Sequence, residues 1–151
     1  MDRVKRLVVK IGSNVLTTNS HKLSETVVKR LVEDVVELRA CGLEVAIVTS
    51  GAVAAGMGRM ELTRRPEGVG ELQALAAIGQ VLLMDTYKAK FRSRGVPVGQ
   101  VLLTAEDILG DRRRYLNLEN TFRSLFAYGA VPLINENDSV ATEELKLGDN
   151  D

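Results

Sequence analysis

Lys10, Gly12 and Ser13 form the first of several turns whose residue types could carry chemistry. Lys10 falls late in a run of apolar residues, where an ammonium group is costly to bury unless it meets an anion. Gly12 would let a backbone amide approach that anion closely, and Ser13 could add a hydroxyl donor. The turn therefore indicates a phosphate site, but taken alone it fits an edge-strand lysine that reaches solvent equally well.

A second turn places Ser50 and Gly51 between an apolar run and a segment of small residues. That segment is predicted to be a short helix, so the serine hydroxyl and the glycine amide would lie at its amino end. Helix amino ends attract carboxylates and phosphates. The simpler interpretation is that Ser50 only caps the helix.

Two further clusters are rich in asparagine and aspartate. Asn135 and Asp138 follow the last apolar run, and they offer the donors and the negative acceptor that can hold an α-amino group and orient an amino acid. Residues 148–151 add Asn150 and Asp151, and the acidic groups of this cluster could position magnesium or a lysine. The alternative for Asn135 and Asp138 is an Asx-rich turn without a binding role, and the alternative for residues 148–151 is a solvated turn.

The elements that must position these turns alternate between strands and helices. Continuous apolar runs rich in β-branched residues predict strands at residues 7–11, 45–48, 96–103 and 131–134. Apolar residues at helical spacing predict helices between Ser24 and Gly42 and at residues 52–58, 71–94 and 107–128, the last with a break at Gly110. Alternation at residues 140–147 fits a hairpin.

This order of elements predicts an α/β fold, in which a mainly parallel sheet is sandwiched by helices within a single domain over residues 1–151. Strand order cannot be read from the pattern. Ligands collect beyond the carboxyl ends of the strands in such sheets, and the first three turns would lie there.

Composition excludes several classes of function. Twenty basic residues balance twenty acidic ones, so the chain lacks the basic excess that usually marks general nucleic-acid binding. The basic run Arg112–Arg114 is interpreted as a solvated helix face. With one histidine and one cysteine, zinc chemistry and histidine triads have almost no support. Cys41, near the end of a predicted helix, is expected to be a small buried side chain.

The sequence gives no sign of a membrane or secreted location. No apolar run approaches the ~20 residues that a membrane-spanning helix needs. The residues after Met1 lack the small-residue cleavage site of a signal peptide. A cytoplasmic location is therefore expected.

Taken in order, the motifs resemble the amino acid kinase family. The segments that carry the resemblance span nearly the whole chain, at residues 8–13, 48–56, 114–117, 134–141 and 148–151. The motifs Asn-Glu-Asn-Asp and Gly-Asp-Asn-Asp in the last two segments are similar to the corresponding motifs of those family members that phosphorylate the side-chain carboxylate of L-glutamate. The resemblance thus implies ATP and Mg²⁺ as cofactors and L-glutamate as substrate.

The resemblance also implies residue roles. Lys10, together with Gly12 and Ser13, would bind the ATP phosphates and stabilise the charge on the phosphoryl group during its transfer. Asp151 would organise Lys10 and a second catalytic lysine. The glutamate pocket is implied to contain Ser50, Gly51, Asn135, Asp138 and Asn150, with Asp138 as the partner of the substrate ammonium. A carboxylate with a pKa near ~4.3 is already ionised at neutral pH, so no general base is required.

Further implications concern the protein as a whole. The product would be an acyl phosphate that a glutamyl phosphate reductase consumes in proline biosynthesis, with L-proline as feedback inhibitor and a homo-oligomeric assembly. The family's kinase domain continues beyond Asp151 and supplies the adenine pocket and the second lysine. We therefore expect residues 1–151 to be the substrate-binding part of an incomplete kinase domain, inactive alone.

Three other interpretations remain open from the sequence. The chain could be a non-catalytic module that binds glutamate or proline, which would keep the substrate pocket but have no use for Lys10. It could also be another acyl-phosphate-forming kinase of the family. A nicotinamide-dependent dehydrogenase fits poorly, because no Gly-x-Gly-x-x-Gly motif follows the first strand.

Overall fold

A computed structural model describes residues 4–18 and 21–141 and contains a four-stranded parallel sheet. The strands are β1 (Arg6–Lys10), β2 (Glu44–Val48), β3 (Val98–Leu103) and β4 (Val131–Glu136). Their order across the sheet is β1-β2-β4-β3. The pairs Lys10–Val48, Val48–Ile134 and Leu103–Glu136 stand opposite one another. The carboxyl ends of the strands therefore lie along one edge, with β3 and β4 extending two residues beyond β1 and β2.

Six helices complete the described fold: α1 (Ser13–Leu16), α2 (Glu25–Ala40), α3 (Ala52–Arg59), α4 (Val69–Arg92), α5 (Ala105–Leu109) and α6 (Arg112–Ala127). Ser24 caps α2 by accepting a hydrogen bond from the Val27 amide at 3.4 Å. Gly42 has a φ of 86°, a left-handed conformation that favours glycine and ends the helix, as the sequence predicts.

The main core lies on one face of the sheet, under α2 and α4. Side chains alternate along β2, so Val45 and Ile47 enter this core. From α4, Tyr87 and Phe91 are fully buried against them. Burying side chains of this kind stabilises the fold by about 1.5–3 kcal/mol each. The β-branched runs of the sequence thus form the inner strands, as expected.

The opposite face of the sheet is covered by α6. Val8, Ala46 and Ile134 point to this face and line a cleft of about 450 Å³ beneath the helix. None of the residues of α6, which lies wholly within the described part of the chain, is buried. The predicted α/β sandwich is confirmed, with its main core on the α2 and α4 side.

Close packing of α3 against α4 depends on two glycines. A methyl group at Gly56 would collide with the backbone of Leu75, and one at Gly79 would collide with the backbone of Ala52. The two helices therefore touch backbone to backbone. This contact fixes the start of α3, where the second polar turn lies.

Several local expectations need correction. Cys41 is exposed, not buried, because it follows the last residue of α2 as its C-cap and lies outside the apolar stripe of that helix. The third strand begins at Val98, and the helical region predicted from residue 107 begins at Ala105 as a separate short helix. The arginines of the run Arg112–Arg114 are exposed, as expected. The predicted hairpin spans residues 140–147, and all of these except residues 140 and 141 lie outside the described residues.

Candidate functional site

The first two polar turns and the end of β4 lie side by side at the carboxyl edge of the sheet. The Ile11 amide donates a hydrogen bond to the Val48 carbonyl at 2.8 Å. The Ser50 hydroxyl donates to the Ile11 carbonyl at 2.9 Å, which joins the first turn to the second. The Thr49 amide donates to the Ile134 carbonyl at 2.8 Å and joins the second turn to β4. Three segments distant in sequence thus form one continuous surface.

In the first turn, Lys10 is the last residue of β1 and its side chain is exposed. Gly12 precedes α1 with φ −76° and ψ 158°, a conformation that any residue can adopt. A Cβ atom at Gly12 would meet nothing within 4 Å. Neither backbone geometry nor packing within the described chain requires a glycine there. The open space above Gly12 lets an anion approach the backbone amides of this turn.

In the second turn, the interpretation of Ser50 as a helix cap is wrong. The N-cap of α3 is Gly51, with a φ of 94°, and no side chain in the described part of the chain caps this helix. Ser50 cannot cap α3 because its hydroxyl is already directed to the Ile11 carbonyl. The first amide groups of a helix have no partners within it, and they carry partial positive charge. This helix end therefore suits a carboxylate.

Asn135 lies at the end of β4 and is buried, with a relative exposure of 2%. Its Nδ2 donates to Oε1 of Gln80 at 2.8 Å, and its Oδ1 accepts from the Glu136 amide at 2.9 Å. The side chain thus ties the end of the strand to α4. Its predicted contact with substrate stays a prediction.

Asp138 lies in the turn after β4 and is partly buried. The turn is held by the Asn137 amide, which donates to the Leu103 carbonyl at 2.7 Å. The amides of Val140 and Ala141 both donate to the Asn137 carbonyl at 3.0 Å. The residues after β4 therefore form a turn held by main-chain hydrogen bonds, and Asp138 lies within it.

Sequence reasoning missed two residues of α4 that support this edge. Tyr87 is fully buried, and its hydroxyl lies 3.1 Å from Oγ1 of Thr49, the residue before Ser50. Burial raises the pKa of the Tyr87 phenol, so the hydroxyl stays protonated near neutral pH. Gln80 bonds Asn135, as described above. The apolar stripe of α4 could have indicated that Tyr87 is buried, but no local pattern identifies its partner.

The remaining predicted site residues and ligands fall outside what the structure describes. Asn150 and Asp151 lie beyond the described residues. Within residues 4–18 and 21–141, no group of three or more histidine, cysteine, aspartate or glutamate side chains is arranged to hold a metal ion. None of the helices over the same residues is both long and apolar enough to cross a membrane.

Comparison with known proteins gives the family of this fold and site. The model of the amino acid kinase family matches residues 5–151, almost the entire chain. This chain belongs to the amino acid kinase family. The four-stranded parallel sheet between helices is part of that fold, and the family resemblance predicted from the motifs is confirmed.

Among curated relatives, glutamate 5-kinases of this family are similar to the chain over nearly all of its residues. Glutamate 5-kinase of Herminiimonas arsenicoxydans is 48% identical over 147 residues, which are 97% of this chain and 39% of the relative. Glutamate 5-kinase of Carboxydothermus hydrogenoformans is 49% identical over 152 residues, covering 100% of this chain and 41% of the relative. The chain thus spans about two fifths of the length of the curated relatives it matches.

Proposed function

We propose that this chain is the substrate-binding part of a glutamate 5-kinase, which transfers the γ-phosphate of ATP to the side-chain carboxylate of L-glutamate. The product is L-glutamyl 5-phosphate. The observation that carries the proposal is the carboxyl edge of the sheet, where hydrogen bonds of Ile11, Thr49 and Ser50 join the turn after Lys10, the turn after β2 and the end of β4 into one surface. Identity of about 48% to curated glutamate 5-kinases supports the choice of substrate.

Lys10, Gly12 and Ser13 are proposed to hold the phosphates of ATP. The lysine supplies positive charge at the end of β1, and the open backbone at Gly12 lets phosphate oxygens approach the amides. Bound Mg²⁺ would neutralise part of the charge on the phosphates. The ion would be held mainly through the phosphates of ATP, as is usual for Mg²⁺ in kinases.

The glutamate is proposed to bind between the second turn and the turn after β4. The amide groups at the start of α3, next to Gly51, would receive a carboxylate of the substrate, and Ser50 would border it. Asp138 would pair with the substrate ammonium. Asn135 and Asn150 would complete the pocket.

The chemistry required of these residues is mainly positional. The substrate carboxylate is ionised at neutral pH, so it attacks the phosphorus without losing a proton to the protein. Phosphoryl transfer needs in-line alignment and stabilisation of the negative charge that spreads over the phosphate oxygens. Lys10 supplies that stabilisation, and Asp151 is proposed to orient it together with a second lysine from the rest of the kinase domain.

The proposal extends to the setting of the enzyme. L-Glutamyl 5-phosphate is a reactive acyl phosphate, so a reductase acting directly on it is the expected next step, on the route to proline. We further propose L-proline as a feedback inhibitor at the glutamate pocket, a homo-oligomeric assembly and a cytoplasmic location.

The activity can be tested in a chimera that joins residues 1–151 to the remainder of the Carboxydothermus hydrogenoformans relative. Hydroxylamine converts the acyl phosphate into a hydroxamate, which forms a coloured complex with added Fe³⁺. We expect this product with L-glutamate but not with L-aspartate. Lys10→Met should lower the rate by about 100-fold, the usual cost of losing a charge-stabilising group. Lys29→Met, which removes an exposed lysine of α2, is the matched control and should keep the rate.

The outcomes separate the proposal from its main alternative. Glutamate-specific hydroxamate that depends on Lys10 supports a kinase. Full activity in Lys10→Met would contradict the role given to the lysine. Selective glutamate binding without ATP-dependent hydroxamate in a folded chimera would favour a non-catalytic binding module.

A further inference from the structure

The side of α4 that faces the rest of the chain carries three polar residues among apolar ones. Gln73, Gln80 and Tyr87 are seven positions apart, which is close to two helical turns, so they share one face at steps of about 10.5 Å. We call these three residues the polar row. Polar groups on the packed side of a helix need specific partners. The buried residues around the row are apolar or glycine: Leu72, Leu75, Ala76, Gly79, Leu83 and Phe91.

The partners of the polar row are the segments that carry the candidate glutamate site. Nε2 of Gln73 donates to the Ala141 carbonyl at 3.4 Å, in the segment after β4. The Tyr87 hydroxyl lies 3.1 Å from Oγ1 of Thr49, in the turn after β2. Thr49 and Asn135 are the polar residues that are buried in the described part of the chain, and both bond to this helix. One face of α4 therefore supports both sides of the site.

The hydrogen bonds of Asn135 determine which way its amide group points. A backbone amide can only donate, so the Asn135 atom that lies 2.9 Å from the Glu136 nitrogen must be the oxygen, Oδ1. Nδ2 of Asn135 is therefore directed to Gln80, and it donates to Oε1 at 2.8 Å. A rotation of the amide by 180° would bring two donors together at Glu136. Gln80 is thus the side chain that holds the Nδ2 end of Asn135.

Packing alone does not explain a glutamine at position 80. Its Nε2 atom is buried, and no residue in the described ranges gives this atom a hydrogen-bond partner. A buried donor without a partner destabilises a fold. A methionine would fill a similar volume without that cost. Gln80 is therefore explained by its Oε1 atom and by the hold of this atom on Asn135.

We propose that Gln80 is a positioning residue of the glutamate pocket, because it holds the Asn135 side chain in the orientation that the substrate meets. The inference rests on the proposed function, in which Asn135 belongs to that pocket. Gln80 acts through Asn135 and does not itself touch the substrate. Without Oε1 of Gln80, the Nδ2 end of Asn135 loses this restraint. Binding of L-glutamate is then weakened, whereas ATP binding and the phosphoryl transfer step are unchanged.

Steady-state kinetics of the chimera test this role through Gln80→Met, which keeps the length of the side chain and removes both of its polar atoms. The KM for L-glutamate should rise about threefold to tenfold, the usual loss from one hydrogen bond. The kcat should change by less than about twofold, and the KM for ATP should stay the same. Lys29→Met, the exposed control on α2, should change none of these constants. An unchanged KM for L-glutamate, or a loss confined to kcat, would overturn the proposal.

A double-mutant cycle tests whether Gln80 acts through Asn135. Asn135→Ala should raise the KM for L-glutamate at least as much as Gln80→Met does, and adding Gln80→Met to it should cause no further rise. Effects of the two changes that multiply would show that Gln80 acts on its own, which would contradict the positioning role. Circular dichroism verifies that each variant is folded, and Asn135→Ser replaces Asn135→Ala if the alanine variant does not fold.

Hydrogen exchange in the chain without ligand separates failure of this inference from failure of the proposed function. In a ¹⁵N-labelled sample, the side-chain amide protons of Asn135 should exchange about threefold to tenfold faster in Gln80→Met than in the parent, because a hydrogen bond is lost. Unchanged exchange would overturn the inference, whatever the chimera does. If the parent chimera forms no glutamate-specific hydroxamate, the proposed function fails, and the role of Gln80 in substrate binding fails with it.

Discussion

Gly79→Ala tests whether the close contact between α3 and α4 positions the candidate site. A Cβ atom at residue 79 would lie 2.5 Å from the Gly56 amide nitrogen and 2.8 Å from the Ala52 carbonyl carbon. Non-bonded carbon atoms prefer about 3.5–4.0 Å. Both clashing groups are backbone atoms, so neither can rotate away. The helices must separate by about 1 Å, and Ala52 directly follows Gly51 at the candidate glutamate site.

The magnitude follows from two opposing effects. Overpacking of a core costs about 1–3 kcal/mol, and a backbone clash falls at the upper end of that range. Alanine is favoured over glycine inside a helix by about 1 kcal/mol, which offsets part of the cost. We expect Gly79→Ala to lower the free energy of unfolding by about 2 kcal/mol. We also expect it to weaken glutamate binding, because the start of α3 is displaced.

Urea unfolding followed by far-UV circular dichroism measures the change, and Gly70→Ala in the same helix is the control. Gly70 is exposed and a Cβ atom there meets nothing within 4 Å, so alanine should be neutral or stabilise by up to about 1 kcal/mol. If Gly79→Ala is as stable as Gly70→Ala, the helices do not touch as described and the reasoning fails.

Three further predictions concern single side chains. The Thr104 amide donates a hydrogen bond to the Asp107 carboxylate, and this bond lowers the pKa of the carboxyl group. The stability that ionised Asp107 adds is therefore present above the unfolded pKa of about 3.9. That stability is lost as the pH falls through the lower pKa of the folded state. Asp107→Ala should cost about 1 kcal/mol at neutral pH in urea unfolding and flatten this acid dependence. Tyr87→Phe should cost about 0.5–1.5 kcal/mol by removing the buried bond to Thr49. Burial raises the pKa of Tyr87, so the free energy of unfolding should decrease above pH about 10, where the unfolded tyrosine ionises more readily than the folded one. In the Tyr87→Phe variant this decrease should be absent. Gly12→Ala should leave stability within about 0.5 kcal/mol but lower hydroxamate formation by the chimera.

The elements of the fold could be predicted because their signals are local. The run Val45–Val48 is continuously apolar and three of its four residues are β-branched, which suits a strand covered on both faces. The stripe of α2, with a serine cap and a glycine stop, identifies a helix with both ends. Strand order depends on contacts between distant segments, and β4 inserts between β2 and β3 without any local signal.

The positions of the candidate turns at the strand ends could be predicted, but their hydrogen bonds could not. Lys10, Ser50 and Asp138 lie at strand ends, and the parallel sheet brings those ends to one edge. The N-cap of α3 is Gly51 and not Ser50, because the Ser50 hydroxyl donates a hydrogen bond to the carbonyl of Ile11, 39 positions away. Cys41 was predicted from its apolar neighbours, yet it lies past the last helical residue and faces out. Each error came from a long-range contact or from the boundary of a helix or strand.

Amide chemical-shift mapping with L-glutamate is the most direct test of where the substrate binds. A ¹⁵N-labelled sample of the chain is titrated with L-glutamate, with L-aspartate as the control ligand. We expect glutamate-specific shifts clustered at the carboxyl edge of the sheet, around Gly12, Gly51 and Asp138. Shifts centred instead on the cleft beneath α6, at Tyr115 and Phe122, would contradict this expectation, and so would a folded chain with no shifts at that edge.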